Sequence, residues 1–178
     1  MVPFSIRLGQ AADSSALAEL AARTFREAFG ADNRPQDLAL HLAQAYGPAV
    51  QARELADPGV TTLVVEVEGH LAGYAQLRAG PVPPGVTGPA PLELWRFYIG
   101  GRWHGKGMAQ ALMERVVEEA GRREARTLWL GVWERNERAK AFYRKCGFED
   151  QGSQIFLVGT DPQTDRIMVR PVAQAERK

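Results

Sequence analysis

The stretch from residue 92 to residue 132 constrains the fold more than any other part of the chain. Leu92 to Ile99 is rich in apolar residues and reads as a strand. Residues 100–107 are glycine-rich. Met108, Leu112, Val116 and Ala120 then recur at helical spacing, which predicts a helix to about Gly121. Thr127 to Val132 reads as a second strand. Two strands joined through a helix form a parallel pair with a crossover. The rest of the chain must arrange itself around that unit.

Ahead of it, Phe4 to Leu8 predicts a short strand. Asp13 or Ser14 can cap a helix over 14–29, with Leu17, Leu20, Phe25 and Phe29 on one face and Gly30 ending it. Pro35 fits the first turn of a second helix, which would bury Leu38, Leu42 and Tyr46. Gly47-Pro48 interrupts, and a third helix runs to about Leu55. Thr61 to Val67, the turn Glu68-Gly69 and His70 to Arg78 predict a hairpin. Residues 80–91 hold five prolines and three glycines and read as an exposed loop. Downstream, Asn136 to Cys146 predicts a short helix stopped by Gly147. Gln154 to Val158 and Ile167 to Val172 predict a closing antiparallel pair. A chain of 178 residues suits one domain over 1–178, of mixed α/β class, with helices on both faces of the sheet.

Composition removes several functions. A formal net charge of +1 offers no strong field for nucleic acid or an anionic membrane. No run approaches the ~18 apolar residues that a membrane span needs. The single cysteine, Cys146, excludes an internal disulfide and a multi-cysteine zinc site, and it fits a reducing cytoplasm. Met1 to Gly9 shows no signal-peptide pattern. His41, His70 and His104 lack metal-ligand spacing, so no metal is expected. The four tryptophans read as core and cleft walls.

The segment Arg102-Trp103-His104-Gly105-Lys106-Gly107-Met108-Ala109 lies between strand and helix. A helix start offers amides without intrahelical partners and partial positive charge, which together hold anions such as a pyrophosphate. Gly105 and Gly107 allow close backbone approach. Arg102 and Lys106 can add charge-assisted contacts. Neither the dinucleotide fingerprint G-x-G-x-x-G nor a Walker loop is present. The same glycines would equally serve a tight β-α turn.

Arg102-x-x-Gly105-x-Gly107 resembles the [QR]-x-x-G-x-[GA] signature of the GNAT family of N-acetyltransferases. About thirty residues on, Asn136, Ala139, Phe142-Tyr143 and Cys146-Gly147-Phe148 are similar to that family's second signature, an Asn followed by F-Y-x-x-x-G-F. The runs 24–30, 93–96 and 161–168 resemble a bacterial spermidine/spermine acetyltransferase subgroup.

The resemblance implies a mostly antiparallel sheet of six to seven strands, splayed between the fourth and fifth. It implies acetyl-CoA as acyl donor and a small-molecule amine as acceptor. The pantetheine arm would pair with Phe97, Tyr98 and Ile99, and the diphosphate would lie on the amides of residues 104–109. Asn136 and Ala139 would border the cofactor, and a homodimer is left open.

An amine attacks a thioester only as the free base, and amines like that of lysine titrate near ~10.4. The enzyme must therefore help remove a proton, and a carboxylate could do so directly or through a water. By resemblance Glu93 takes that role, with Glu134 as runner-up. Tyr143, two helical turns after Asn136, would protonate the departing thiolate. A backbone N–H near Tyr98 would stabilise the oxyanion. The alternatives are an aromatic core role for Tyr143, a plain N-cap for Asn136, and a buried structural cysteine rather than a nucleophile at Cys146. A polyamine acceptor needs several carboxylates, with Glu27, Asp32, Asp37 and Glu93 as the candidates. A protein N-terminus or lysine is the competing acceptor. Outside the enzyme class, the competing readings are an acyl-CoA-binding regulator and a nucleotide-binding protein.

Overall fold

The expected crossover forms. The structure, a computed structural model, describes residues 2–173. In it, β4 (Pro91–Ile99) and β5 (Thr127–Trp133) are parallel neighbours joined through α4 (Met108–Arg122). Around them lie β1 (Ser5–Leu8), β2 (Val60–Val67), β3 (His70–Arg78), β6 (Glu149–Val158) and β7 (Asp161–Pro171). The seven strands make one sheet in the order β1-β2-β3-β4-β5-β7-β6. Every other pairing in it is antiparallel. The expected mixed α/β architecture is thus the observed one.

The parallel ladder is short. Only Pro91–Thr127, Leu92–Leu128 and Glu93–Trp129 pair. Beyond them β4 follows β3 as far as Ile99–Gly73, while β5 follows β7 as far as Trp133–Asp165. A wedge opens between the two strands, and the β4 backbone on that side has no strand partner.

A bulge decides which side chains of β4 face which way. Gln76 pairs with Arg96 but Leu77 pairs with Leu94, so Trp95 is the extra residue. One inserted residue reverses the alternation. Leu92 and Leu94 before the bulge share a core with Ile99 and Phe97 after it, against Met108, Leu112 and Val116 of α4. Arg96 and Tyr98 are thereby sent to the opposite face. Without the bulge, polar Arg96 would point into the α4 core.

The second face carries α1 (Ser14–Phe29), α2 (Pro35–Ala45) and α3 (Pro48–Ala56). Leu17, Leu20, Phe25, Leu42 and Tyr46 meet Val64 and Tyr74 there. Each buried side chain of this size contributes ~1.5–3 kcal/mol. The tip of the β6–β7 hairpin ties α2 down. Asp37 accepts from the Thr160 amide at 2.8 Å and its hydroxyl at 2.7 Å. Gly159 has φ +60°, and a Cβ on it would stand 2.6 Å from the Asp37 Cα, so only glycine fits.

Two expectations change. The closing pair is longer than 154–158 with 167–172. Residues 149–153 and 161–166 are polar and, at Gly152, bulged, so they lacked a strand pattern. The proline-rich loop is not wholly exposed. Val86 packs on Trp129 and Ile167, and Thr127 donates to the Pro89 carbonyl at 2.7 Å.

Candidate active site

A cleft of about 1590 Å³ runs through the wedge from one face of the sheet to the other. Along β4 it is bordered by Glu93, Phe97, Tyr98 and Ile99. His104, Gly105, Gly107 and Ala109 border it from the glycine loop, and Asn136, Ala139 and Tyr143 from α5 (Glu137–Lys145). Three expected residues do not line it. Met108 is 1 % exposed and sits in the α4 core, so only its backbone amide can serve a ligand. Arg102 and Lys106 hold their charges over the Trp103 ring, at 4.5 and 4.8 Å, at the rim.

The loop is shaped for an anion. Gly105 at φ +73° and Gly107 at φ +82° are left-handed, and a Cβ on either would meet nothing within 4 Å. The glycines are needed for backbone conformation, not for lack of room, and the space above them is open. No side chain caps α4, and its first helical bond is Ala111 N to Gly107 O at 3.1 Å. The amides of residues 108–110 therefore point out of the helix without a helical partner, where the dipole favours negative charge. These features fit the diphosphate of coenzyme A. The unpaired edge of β4 fits an amide-bearing arm lying alongside it as an added strand.

His104 has a role that the sequence did not disclose. Arg138 can only donate, and its Nη1 lies 3.0 Å from His104 Nδ1. The ring therefore carries its proton on Nε2, which donates to the Ile99 carbonyl at 2.8 Å. This chain ties α5, the loop and the end of β4 together.

On the α4 side, the Tyr143 ring is packed by Phe97, Phe142 and Phe148 with centroids 5.6–6.2 Å away. Burial, with a smaller contribution from Cys146, raises its phenol well above the usual value, so it keeps its proton. Asn136 caps α5, its Oδ1 accepting from the Ala139 amide at 3.1 Å, while its residue also borders the cleft. Cys146 lies in the core outside the cleft, and burial pushes its thiol up, away from nucleophilic character.

On the α1 side the carboxylates are unequal. Glu93 Oε2 receives Arg78 Nε at 2.6 Å. Glu54 receives the buried Arg96 at 2.8 Å. Trp95 takes both guanidiniums on its ring, 3.7 and 3.8 Å from the centroid. Glu27 accepts from the Gly101 amide at 2.9 Å. Asp37 is spent on Thr160 and Arg34, and neither it nor Asp32 borders the cleft. Glu134 is exposed and also lies outside it. The residue that sequence reasoning missed is Asp165, which borders the cleft from β7. Among the described residues no group of three or more potential ligands could hold a metal, and no helix is long and apolar enough to cross a membrane.

This architecture is matched by comparison. The model of the acetyltransferase (GNAT) family matches residues 15–148. An uncharacterised N-acetyltransferase of Lactobacillus delbrueckii subsp. lactis is 36 % identical over 146 residues, covering 82 % of this chain and 84 % of that one. One from Mycobacterium tuberculosis is 35 % identical over 158 residues, covering 89 % and 97 %. A spermine/spermidine N(1)-acetyltransferase of Bacillus subtilis is 27 % identical over 90 residues, covering 50 % and 59 %. The fold is shared with an N-acetyltransferase of Thermoplasma acidophilum crystallised with coenzyme A, at TM-score 0.79 and 17 % identity over 95 % of this chain and 99 % of that one. The chain belongs to the acetyltransferase (GNAT) family. It is an acetyl-CoA-dependent N-acetyltransferase.

Proposed function

We propose that the protein, working as one domain, moves the acetyl group of acetyl-CoA onto a primary amine by direct attack in a ternary complex. One observation carries this reading. The wedge between β4 and β5 joins an anion-ready helix start and a protonated Tyr143 on one face of the sheet to a carboxylate-bearing cavity on the other. Donor and acceptor can thus meet through the sheet without a covalent enzyme intermediate.

Of the amides of residues 104–109, that of His104 already donates to the Gly101 carbonyl at 3.2 Å, so the diphosphate rests on those of 105–109, with Arg102 and Lys106 at the rim. The pantetheine arm runs along Phe97, Tyr98 and Ile99, near Asn136 and Ala139. The Ile99 carbonyl is already taken by His104, so the contacts fall on the other polar groups of the strand. A β4 amide near Tyr98 supports the oxyanion, a contribution of ~2.7–4 kcal/mol in comparable sites. Tyr143 gives its proton to the leaving sulfur. Glu93, to which the resemblance gives the acceptor's proton, has one oxygen committed to Arg78.

For the acceptor, the polyamine reading is supported by the Bacillus subtilis relative over half of this chain. The cavity's charge supports a different choice. Glu54 and Glu93 are neutralised by Arg96 and Arg78 and Glu27 is taken by the Gly101 amide, so among the described residues no row of free carboxylates spaced for a polycation lines the walls. A small amine with one cationic head suits it better. The reduced, buried Cys146 suits a cytoplasmic enzyme. For assembly, β6 is the outer strand and exposes Ile155 at 66 % and Leu157 at 58 %, the surface a second copy would cover.

The test is release of free thiol from acetyl-CoA across a panel of amines, with both substrates varied. Intersecting double-reciprocal lines are expected. Parallel lines would refute direct attack. A rise in melting temperature with coenzyme A but no thiol release from any amine would instead support a binding regulator.

A further inference from the structure

We propose that Asp165 receives the ammonium group of the acceptor and takes its proton, while the Glu93–Arg78 pair forms the wall beside it. This rests on the transferase reading above and deepens it.

The geometry begins with the alternation of β5. Leu128, Leu130 and Val132 point into the α4 core beside Tyr143. Trp129, Gly131 and Trp133 therefore face the other side of the sheet, where Trp133 meets Phe29 of α1 edge-on at 6.0 Å. Asp165 is the β7 partner of Trp133. A Cβ built on Gly131 would stand 3.1 Å from Asp165 Oδ2 and 2.7 Å from Gln154 Nε2. The missing side chain at Gly131 thus leaves the room that the carboxylate fills. Asp165 lies on the α1 face and Tyr143 on the α4 face, with the wedge between them. Tyr98 of β4 borders the same cleft as both.

Asp165 is also the uncommitted acid of the cleft. Only 9 % of it is exposed, and among the described residues no cation or side-chain donor is paired with it. Its neighbours across the sheet are Gln154 and Trp133, which bring no charge. Arg166, next in sequence, is held by Asp150. The charged and titratable groups of the facing elements are Glu27, His41, Tyr46, Glu54, Arg78, Glu93, Arg96, Tyr98 and, across the wedge, His104, Arg138 and Tyr143. Of these, Glu54 with Arg96 and Glu93 with Arg78 are internally paired, and Glu27 is taken by the Gly101 amide and faces Arg23 at 3.9 Å. Burial alone pushes the Asp165 carboxyl up to about 7, the range that suits a base at neutral pH.

The proton count closes. A bound ammonium gives one proton to the Asp165 carboxylate. The freed lone pair forms the carbon–nitrogen bond at the thioester carbonyl, and the carbon–sulfur bond breaks. Tyr143 gives its proton to sulfur, and the second nitrogen proton restores the phenol. Asp165 then releases its proton to water, so one proton leaves per turnover. A single free carboxylate beside Phe29, Trp133, His41 and Phe156 selects an acceptor with one ammonium and an apolar or aromatic body.

The experiment uses the full chain, acetyl-CoA and 2-phenylethylamine, with spermidine in parallel, from pH 5.5 to 9. For the wild type, kcat/KM for 2-phenylethylamine should rise through a limb near pH 7. Asp165→Asn should lower kcat about 10²–10⁴-fold and remove that limb. Its acetyl-CoA affinity and circular dichroism should match the wild type. Glu93→Gln should keep the limb. A persisting limb in the Asp165 variant, its loss in the Glu93 variant, or turnover of spermidine alone would overturn the proposal and leave the transferase reading standing. So would bound acetyl-CoA with no use of 2-phenylethylamine. Failure to bind acetyl-CoA at all would instead sink the transferase reading.

Discussion

A buried acid that the fold holds without a partner must weaken the protein, and Asp165 allows that cost to be worked out. Its carboxyl titrates at about 7 in the fold against an ordinary 3.8. Between those values the folded state keeps a proton that the unfolded chain has already lost. The stability associated with that proton is fully present below about 3.8 and is lost as pH rises through about 7. A difference of about 3 pKa values corresponds to ~4 kcal/mol at most, at ~1.4 kcal/mol each. Asparagine has the same shape and no proton to lose. Asp165→Asn should therefore be more stable than the wild type by up to ~4 kcal/mol at pH 8, and by only ~1 kcal/mol at pH 4.5. In a domain of this size that gap at pH 8 corresponds to roughly 10 °C in melting temperature. Urea and thermal unfolding of both proteins at the two pH values would measure it. An Asp165 variant no more stable than the wild type at pH 8, or a gap that does not widen with pH, would refute the reasoning. Gaining stability while losing turnover is the signature of a group retained for chemistry.

Other outcomes follow from the same geometry. Tyr143→Phe should lower kcat about 10²–10⁴-fold with little change in acetyl-CoA affinity, whereas Cys146→Ala should keep most activity, both read in the thiol-release assay. Gly107→Ala must hold a left-handed conformation at φ +82°, so it should lose ~1–2 kcal/mol of stability or distort the loop, and acetyl-CoA should bind more weakly by calorimetry. Gly159→Ala should destabilise by ~1–3 kcal/mol in urea and raise KM for the acceptor, because its Cβ would push on the Asp37 backbone and loosen α2.

Much of this was legible in the sequence because local rules and the fold agree. Leu17, Leu20 and Phe25 place α1 on the sheet, Pro35 and Pro48 start α2 and α3, and the residues 92–132 specify the crossover. The cofactor side was also readable, since glycines at positive φ and an uncapped helix start are local features. What stayed hidden depends on register and distance. The bulge at Trp95 is set by pairing with β3, and nothing in β4 alone reveals it. Arg78 and Arg96 neutralise Glu93 and Glu54 from other elements. Asp165 sits in a polar stretch without strand alternation, and its burial arises only when β7 pairs with β5 across Gly131. The chemistry of the acceptor side is thus written in contacts between strands distant in sequence.

The most direct measurement of the central claim is a crystal structure of the protein with acetyl-CoA bound. The account predicts the diphosphate on the backbone amides of residues 105–109, the pantetheine arm along β4, and the thioester sulfur within hydrogen-bonding distance of the Tyr143 hydroxyl. Density for the ligand away from that loop, or a sulfur remote from Tyr143, would contradict it.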